Sequence, residues 1–297
     1  MSNGPVVAGV DGSEAALRAV RWAADTAARH HAPLYIAHAA GYPYLHGGDA
    51  IPPPESVRED LRHQRWEFLH AAREVAEETA GLDIHLCYES DPPVPYLIHV
   101  SGSARMIVLG SSCHTGIYGL LVGSTTLALV SHARCPVVSV CGECAEMPAQ
   151  DRRPVVVGID GSPVSERAIG YAFDEAAHRD VELVTVHTWN DANSDVFSEA
   201  RMYFGWEDMR EVEERRLAER LAGWSESYPD VSVRRVLVQD RPHHELLEWS
   251  RKAQLVVVGS RGRGNLRCML LGSTSRALIH GAECPVMIAR PEPGTPP

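Results

Sequence analysis

The chain has 297 residues, of which 44% are hydrophobic and 23% are charged, and its formal net charge at pH 7 is -11. This length and composition predict two globular domains, and no apolar run approaches the roughly 20 residues that a membrane-spanning helix needs. The excess of acidic side chains argues against general nucleic-acid binding, which requires a basic surface to neutralise phosphates.

The first half of the chain alternates short apolar strands with helices. An apolar run at 6–10 predicts a buried parallel strand, and Ser13 is placed to cap a helix over 14–30. A second strand ends near His38, the Gly- and Pro-rich stretch 41–54 is typical of a loop, and 55–80 predicts a helix. The remaining predicted elements are a strand at 83–89, a helix after Pro93, a strand at 104–110, a helix at 124–132 and a strand at 136–140.

The second half repeats this order. Asp11 recurs as Asp160 and His38 as His187, each 149 residues later, and the same offset holds up to the last strand. The corresponding strands are predicted at 155–159, 181–188, 231–238, 254–259 and 285–289, with helices that begin near Ser162, Trp206, Pro242 and Ser273. A repeat of this length can bury its own core, so the chain is interpreted as a duplicated domain.

The regular alternation of strands and helices predicts an α/β fold. We expect two tandem doubly wound domains, each a five-stranded parallel sheet with helices on both faces. The first domain is predicted to span 1–141 and the second 154–291, joined by a polar linker at 142–153 and followed by a flexible tail at 292–297.

A binding crevice is predicted at one edge of each sheet, because ligands of open parallel sheets lie beyond the carboxyl ends of the strands, where the strand order reverses. The first strand of each half ends at an aspartate, the fourth ends at a glycine, and a further glycine precedes the next helix. If the first and fourth strands are neighbours, these residues share one crevice. They are Asp11, Gly110, Gly123, Ser124 and Thr125 in the first half, and Asp160, Gly259, Gly272, Ser273 and Thr274 in the second.

The residue types in this crevice suit a nucleotide. Glycines let backbone N–H groups approach phosphate closely, and a helix N-terminus adds unpaired donors. Ser124 and Ser273 can donate a hydroxyl, whereas Asp11 and Asp160 repel phosphate and are expected to accept a hydrogen bond from the amine of the base. Asp-Gly-Ser after a strand is also ordinary helix capping, but its recurrence with the glycines at one offset favours a binding site.

A glycine motif in the second half carries a family resemblance. Gly259, Gly262, Gly272 and Ser273 are spaced as G-x2-G-x9-G-S, and both halves begin with the Asp-Gly-Ser segment. With every spacing kept, this pattern resembles the nucleotide motif of the universal stress protein family. The resemblance covers both halves of the chain. It implies a strand order of 3-2-1-4-5 and an adenine-nucleotide ligand, ATP with or without Mg²⁺.

The same resemblance implies roles for single residues. Asp11 and Asp160 would contact adenine, and Ala39 and Thr188 would lie beside the base through their backbones. The first half departs from the pattern, because Cys113 occupies the position of the second glycine. A side chain there would crowd the phosphate, so we expect the second half to hold the stronger site.

The resemblance implies a cytoplasmic, ATP-binding regulator of stress response or growth that acts through nucleotide-dependent conformation or partner binding. The chain has a single lysine, Lys252, in the helix-like run 245–253, which disfavours P-loop and Schiff-base mechanisms. No catalytic residue and no metal site is predicted. A slow ATPase or phosphotransfer enzyme and a sensor of AMP or cyclic AMP stay as alternatives. The expected partners are an unidentified protein and a second copy of the chain, or one domain paired with the other through the last strand of each.

Overall fold

The computed structural model describes residues 4–41, 54–111, 123–141, 151–189, 206–239, 241–262 and 271–291. The chain divides into two compact units, Met1–Glu146 and Met147–Pro297, called here the first and the second domain. Cys113 lies outside the described residues, as do most of the predicted linker and the whole predicted tail. The predicted domain boundaries stay predictions.

The first domain contains five strands and four helices among its described residues. The strands are β1 (Val6–Gly9), β2 (Leu34–Ala39), β3 (Ile84–Glu89), β4 (Met106–Ser111) and β5 (Val137–Cys141). The helices are α1 (Glu14–Arg29), α2 (Glu55–Glu77), α3 (Pro93–Val100) and α4 (Ser124–His132). All neighbouring strands are parallel, in the order β3-β2-β1-β4-β5. The predicted doubly wound order 3-2-1-4-5 is therefore confirmed.

The second domain repeats this architecture within the described residues. Its strands are β6 (Val155–Ile159), β7 (Leu183–Trp189), β8 (Val233–Gln239), β9 (Leu255–Gly259) and β10 (Val286–Ala289). Its helices are α5 (Pro163–Arg179), α6 (Trp206–Ser227), α7 (Pro242–Ser250) and α8 (Ser273–Gly281). The parallel pairs β8-β7, β7-β6, β6-β9 and β9-β10 give the equivalent order.

The central strands of each sheet are fully buried, which explains their continuous apolar sequence. Val6, Val7 and Ala8 of β1 have no exposed surface, and neither do Val155 and Val156 of β6. Strands covered by helices on both faces have no solvent side, so polar and apolar residues do not alternate along them. None of the described helices combines the length and the apolar character needed to cross a membrane.

The first helix of each domain begins as its sequence predicts. The hydroxyl of Ser13 accepts a hydrogen bond from the Ala16 N–H at 3.2 Å, and Ser162 accepts one from Ser165 N–H at the same distance. Each cap satisfies a backbone donor that the helix cannot pair internally. The prediction for Lys252 was wrong, because α7 ends at Ser250 and the exposed Lys252 lies in the turn that leads into β9.

Candidate functional site

The crevice of the second domain lies at the carboxyl ends of β6 and β9. These two strands are parallel neighbours, with Val157 beside Val257, so Asp160 and Gly259 leave the sheet side by side. This is the point at which the strand order reverses, since β7 continues the sheet on one side of β6 and β9 on the other. The required adjacency of the first and fourth strands is also present in the first domain, where Val6 pairs with Met106.

The glycine loop after β9 folds back onto itself. The Gly272 N–H donates to the Ser260 carbonyl at 2.9 Å, and a Cβ atom at position 272 would lie 3.7 Å from Gly262 N. The loop therefore brings the start of α8 beside Gly262. Gly272 caps this helix without a side-chain hydrogen bond, and Ser273 is exposed, so the first turn of α8 keeps donors that an anion can use.

Asp160 joins the first turn of the domain to this loop. Its Oδ1 accepts a hydrogen bond from the Ser162 N–H at 2.9 Å, while its Oδ2 lies so close to Gly262 that a Cβ atom there would overlap it. Position 262 therefore accepts only glycine while Asp160 keeps this place. Asp160 and Gly262 therefore lie together in the crevice, although they are 102 positions apart in the sequence (262 minus 160).

Gly259 and the third residue of α8 fix the other side of the loop. A Cβ atom at position 259 would lie 3.3 Å from Ser165 N, which shows how closely β9 approaches α5. The Ser275 hydroxyl donates to the Gly259 carbonyl at 2.6 Å and ties α8 to the strand end. Thr274, in the same first turn, is half-buried. The sequence motif did not single out Ser275. At the 149-residue offset Ser275 corresponds to Thr126, which also carries a hydroxyl group.

His187 braces the strand ends beside the crevice. Its Nδ1 lies 2.9 Å from the Ile159 carbonyl, directly before Asp160, and its Nε2 lies 3.0 Å from Oε2 of Glu213. The hydrogen bond with His187 lowers the pKa of the buried Glu213 carboxyl, and Arg216 acts in the same direction through its charge. Thr188 follows on β7, half-buried and paired with Val238. The sequence indicated the repeated histidine but gave no sign of Glu213.

Two guanidinium groups lie at the end of the second-domain sheet that carries the glycine loop. Arg261 is the second residue after β9, and Arg290 follows β10 directly. Burial, with the like charge of Arg261 in addition, lowers the pKa of Arg290 to about 10. Positive charge therefore accumulates beside Gly262 and Gly272, where a phosphate is expected.

The first domain holds the same elements with different contacts. Asp11 is exposed, and its Oδ1 accepts from the Ser13 N–H at 3.0 Å. Gly110 packs on the start of α1 so tightly that a Cβ atom there would overlap the Ala15 carbonyl and lie 2.6 Å from Ala16 N. Gly123 and Ser124 are exposed at the start of α4, where Thr125 is half-buried. Ala39, half-buried at the end of β2, pairs with Glu89 of β3.

An aromatic side chain covers the first turn of this domain. Gly12 has a φ of +86°, and a Cβ atom there would lie 2.6–2.7 Å from three ring atoms of Phe68. The Phe68 ring meets the His38 ring edge-on, with centroids 5.7 Å apart. His38 Nδ1 lies 2.8 Å from the Val10 carbonyl, as His187 does with Ile159, and burial lowers the pKa of His38.

The chain matches one known family over nearly its whole length. The sequence profile of the universal stress protein family matches residues 3–140 and again 151–290. The chain belongs to the universal stress protein family. The duplication deduced from the sequence is therefore a tandem pair of universal stress protein domains.

Curated relatives of this universal stress protein share its tandem length. A universal stress protein of Mycobacterium tuberculosis is 43% identical over 289 residues, which cover 96% of each chain. One of Mycolicibacterium smegmatis is 40% identical over 291 residues, covering 96% of this chain and 97% of its own. The crystal structure of a universal stress protein from Archaeoglobus fulgidus is similar in fold, with a TM-score of 0.70, 21% identity, and coverage of 98% and 99%.

Proposed function

We propose that this universal stress protein binds ATP and acts as a non-enzymatic regulator in the cytoplasm. The observation that carries the proposal is the constellation at the reversal of strand order in the second domain, where Asp160, Gly262 and Gly272 lie together. The backbone N–H groups at the start of α8 and the nearby Arg261 suit phosphate, whereas the carboxylate suits the base.

The arrangement also gives the bound nucleotide a direction. The Asp160 carboxylate would repel phosphates placed next to it, so we propose that the phosphates lie toward Gly272, Ser273 and Thr274. The base then lies toward Asp160 and the end of β7, where Thr188 is placed. Nucleotide-dependent change would be passed on to an unidentified protein partner, and a homodimer or pairing between the domains stays a prediction.

The proposal is tested by calorimetric titration of the full chain with ATP. Because a methyl group at position 262 displaces the Asp160 carboxylate, Gly262→Ala should weaken binding at the second site by about tenfold or more, equivalent to ~1.4 kcal/mol. Asp160→Ala should act at the same site. Gly223→Ala is the matched control, since no heavy atom of the described residues lies within 4 Å of a Cβ added there and the position is on the exposed face of α6.

Unchanged affinity and stoichiometry in both Gly262→Ala and Asp160→Ala would remove the second domain as the site. The identity of the ligand is tested separately, by mass spectrometry of small molecules released from protein purified without added nucleotide. We expect ATP, and recovery of AMP or cyclic AMP in its place would replace ATP in the proposal.

A further inference from the structure

The two domains differ in the residue that covers the first turn. In α2 the buried residues Arg65 and Leu69 face the sheet, and in α6 the buried residues Glu213 and Leu217 do so, at the same spacing of four. Glu213 contacts His187. In the first domain the equivalent histidine is His38, and burial, followed by the charge of Arg65, lowers its pKa. The second helix of each domain therefore places a charged residue near the repeated histidine.

At the 149-residue offset of the repeat, Phe68 of α2 corresponds to Leu217 of α6, which is buried. Phe68 lies against Gly12, next to the exposed Asp11, and is half-buried. The first domain therefore presents an aromatic ring beside Gly12 and Asp11, where the corresponding residue of the second domain is the aliphatic Leu217.

The two crevices also differ in charge at the end where the phosphates are expected. Arg261 and Arg290 place two positive charges beside the glycine loop of the second domain. The residues at the 149-residue offset in the first domain are Ser112 and Cys141, which are uncharged there. Cys141 is buried at the end of β5, and Ser112 lies outside the described residues. A guanidinium is well suited to bind phosphate oxygens, and a hydroxyl or thiol replaces it poorly.

We infer that the two domains select different parts of the nucleotide, the first binding adenosine by stacking on Phe68 with little dependence on phosphate, and the second selecting the polyphosphate. An aromatic ring attracts any base through its π-face, and it gains nothing from phosphate. Guanidinium groups form additional charge-assisted hydrogen bonds with each added phosphate. Adenosine has no phosphate and therefore binds weakly to a site of this kind. This inference rests on the proposed nucleotide function and adds the ligand class of each site.

The test compares adenosine, AMP and ATP by calorimetry on the full chain. The wild type should show one site with similar affinity for adenosine and ATP, and one that prefers ATP. Phe68→Leu keeps an apolar cover on Gly12 but removes the ring, so adenosine affinity should fall about tenfold while the ATP-selective site is unchanged. Phe68→Trp restores a stacking face and should retain adenosine binding. Trp66→Leu, an exposed aromatic of the same helix, is the matched control and should change neither.

The second domain is tested with Arg261→Gln, which removes the charge and keeps amide donors. ATP affinity at the selective site should fall about tenfold, while adenosine binding at the first site is retained. Adenosine binding that is unaffected by Phe68→Leu would overturn the inference. So would two sites with the same preference for ATP, although that result would support ATP binding itself. Absence of binding by all three ligands would instead remove the proposed function.

Discussion

The glycines of the crevice have different physical reasons for being glycine. Gly110 packs directly on the backbone of Ala15 and Ala16 in the first turn of α1, where a methyl group has no room. Among the described residues, the atom nearest to a Cβ added at Gly123, the N-cap of α4, is the Thr126 hydroxyl oxygen at 4.0 Å. The first glycine is therefore needed for close packing of β4 on α1, whereas no described residue crowds the second.

We expect Gly110→Ala to lower the free energy of unfolding of the first domain by about 3 kcal/mol, because backbone atoms must move to admit the methyl group. Gly123→Ala should lower it by only about 1 kcal/mol, because alanine is a poorer N-cap than glycine but no packed backbone has to move. Urea unfolding followed by hydrogen exchange in peptides of the first domain measures both. Equal loss of stability in the two variants would contradict the distinction.

At the scale of the element, the second helix sets the electrostatics around the repeated histidine. The α6 helix places an acid, Glu213, against His187, and the α2 helix places Arg65 near His38. Arg65 donates to the Tyr88 hydroxyl at 3.0 Å, whereas Glu213 accepts from Arg216. The same backbone arrangement thus supports two charge patterns, since each helix supplies its own partners.

The Glu213 contact predicts a pH dependence of stability in the second domain. The pKa of Glu213 in the folded domain lies below its ordinary value of 4.5, chiefly because of the hydrogen bond with His187. A lowered pKa means that the stabilisation is complete above pH 4.5 and is lost as the pH falls through the folded-state pKa. Glu213→Gln should therefore destabilise the domain at neutral pH, and its difference from the wild type should shrink in acid.

Urea unfolding at about pH 7 and about pH 3.5 measures this difference. Glu214→Gln is the control, because Glu214 pairs with Arg210 on the exposed side of the same helix and should show little effect. A constant difference between the Glu213 variant and the wild type at both pH values would show that the hydrogen bond with His187 does not carry the stabilisation.

At the scale of the whole molecule, the crevice residues favour binding over catalysis. Lys252, the only lysine of the chain, lies in the turn before β9, at the opposite end of that strand from Gly259. Fast phosphoryl transfer needs carboxylates for Mg²⁺ and a positioned cation or base, and Asp160 is engaged with Ser162 and placed against Gly262. Binding that stabilises ground state and transition state equally gives affinity without acceleration.

ATP hydrolysis by the purified full chain should accordingly stay far below the roughly 1–10³ s⁻¹ typical of enzymes. Steady-state phosphate release, with and without Mg²⁺, is the measurement. Turnover near one per second that disappears in Arg261→Ala or Asp160→Ala would establish the enzymatic alternative. The role of a regulator would then have to be replaced by that of an ATPase or phosphotransfer protein.

The sequence alone was enough to predict the duplicated α/β fold and to mark the residues at the ends of the first and fourth strands. Buried parallel strands and N-terminal helix caps depend on residues close together in the sequence, so they can be predicted from local patterns. The repeat adds a second copy of each pattern, which supports each prediction. Helix ends were less certain, and the place of Lys252 was wrong, because its surroundings continue a helical pattern past Ser250.

Only the tertiary structure decided which of these residues touch. The contact of Asp160 with Gly262, the Phe68 ring on Gly12, and the pairing of Glu213 with His187 each join elements that the chain separates by a strand, a helix or a loop. No periodicity or motif encodes such pairs, because they depend on the register between a helix and the sheet. The sequence therefore determined that there are two similar crevices, and the packing of the second helix on each sheet decided that they differ.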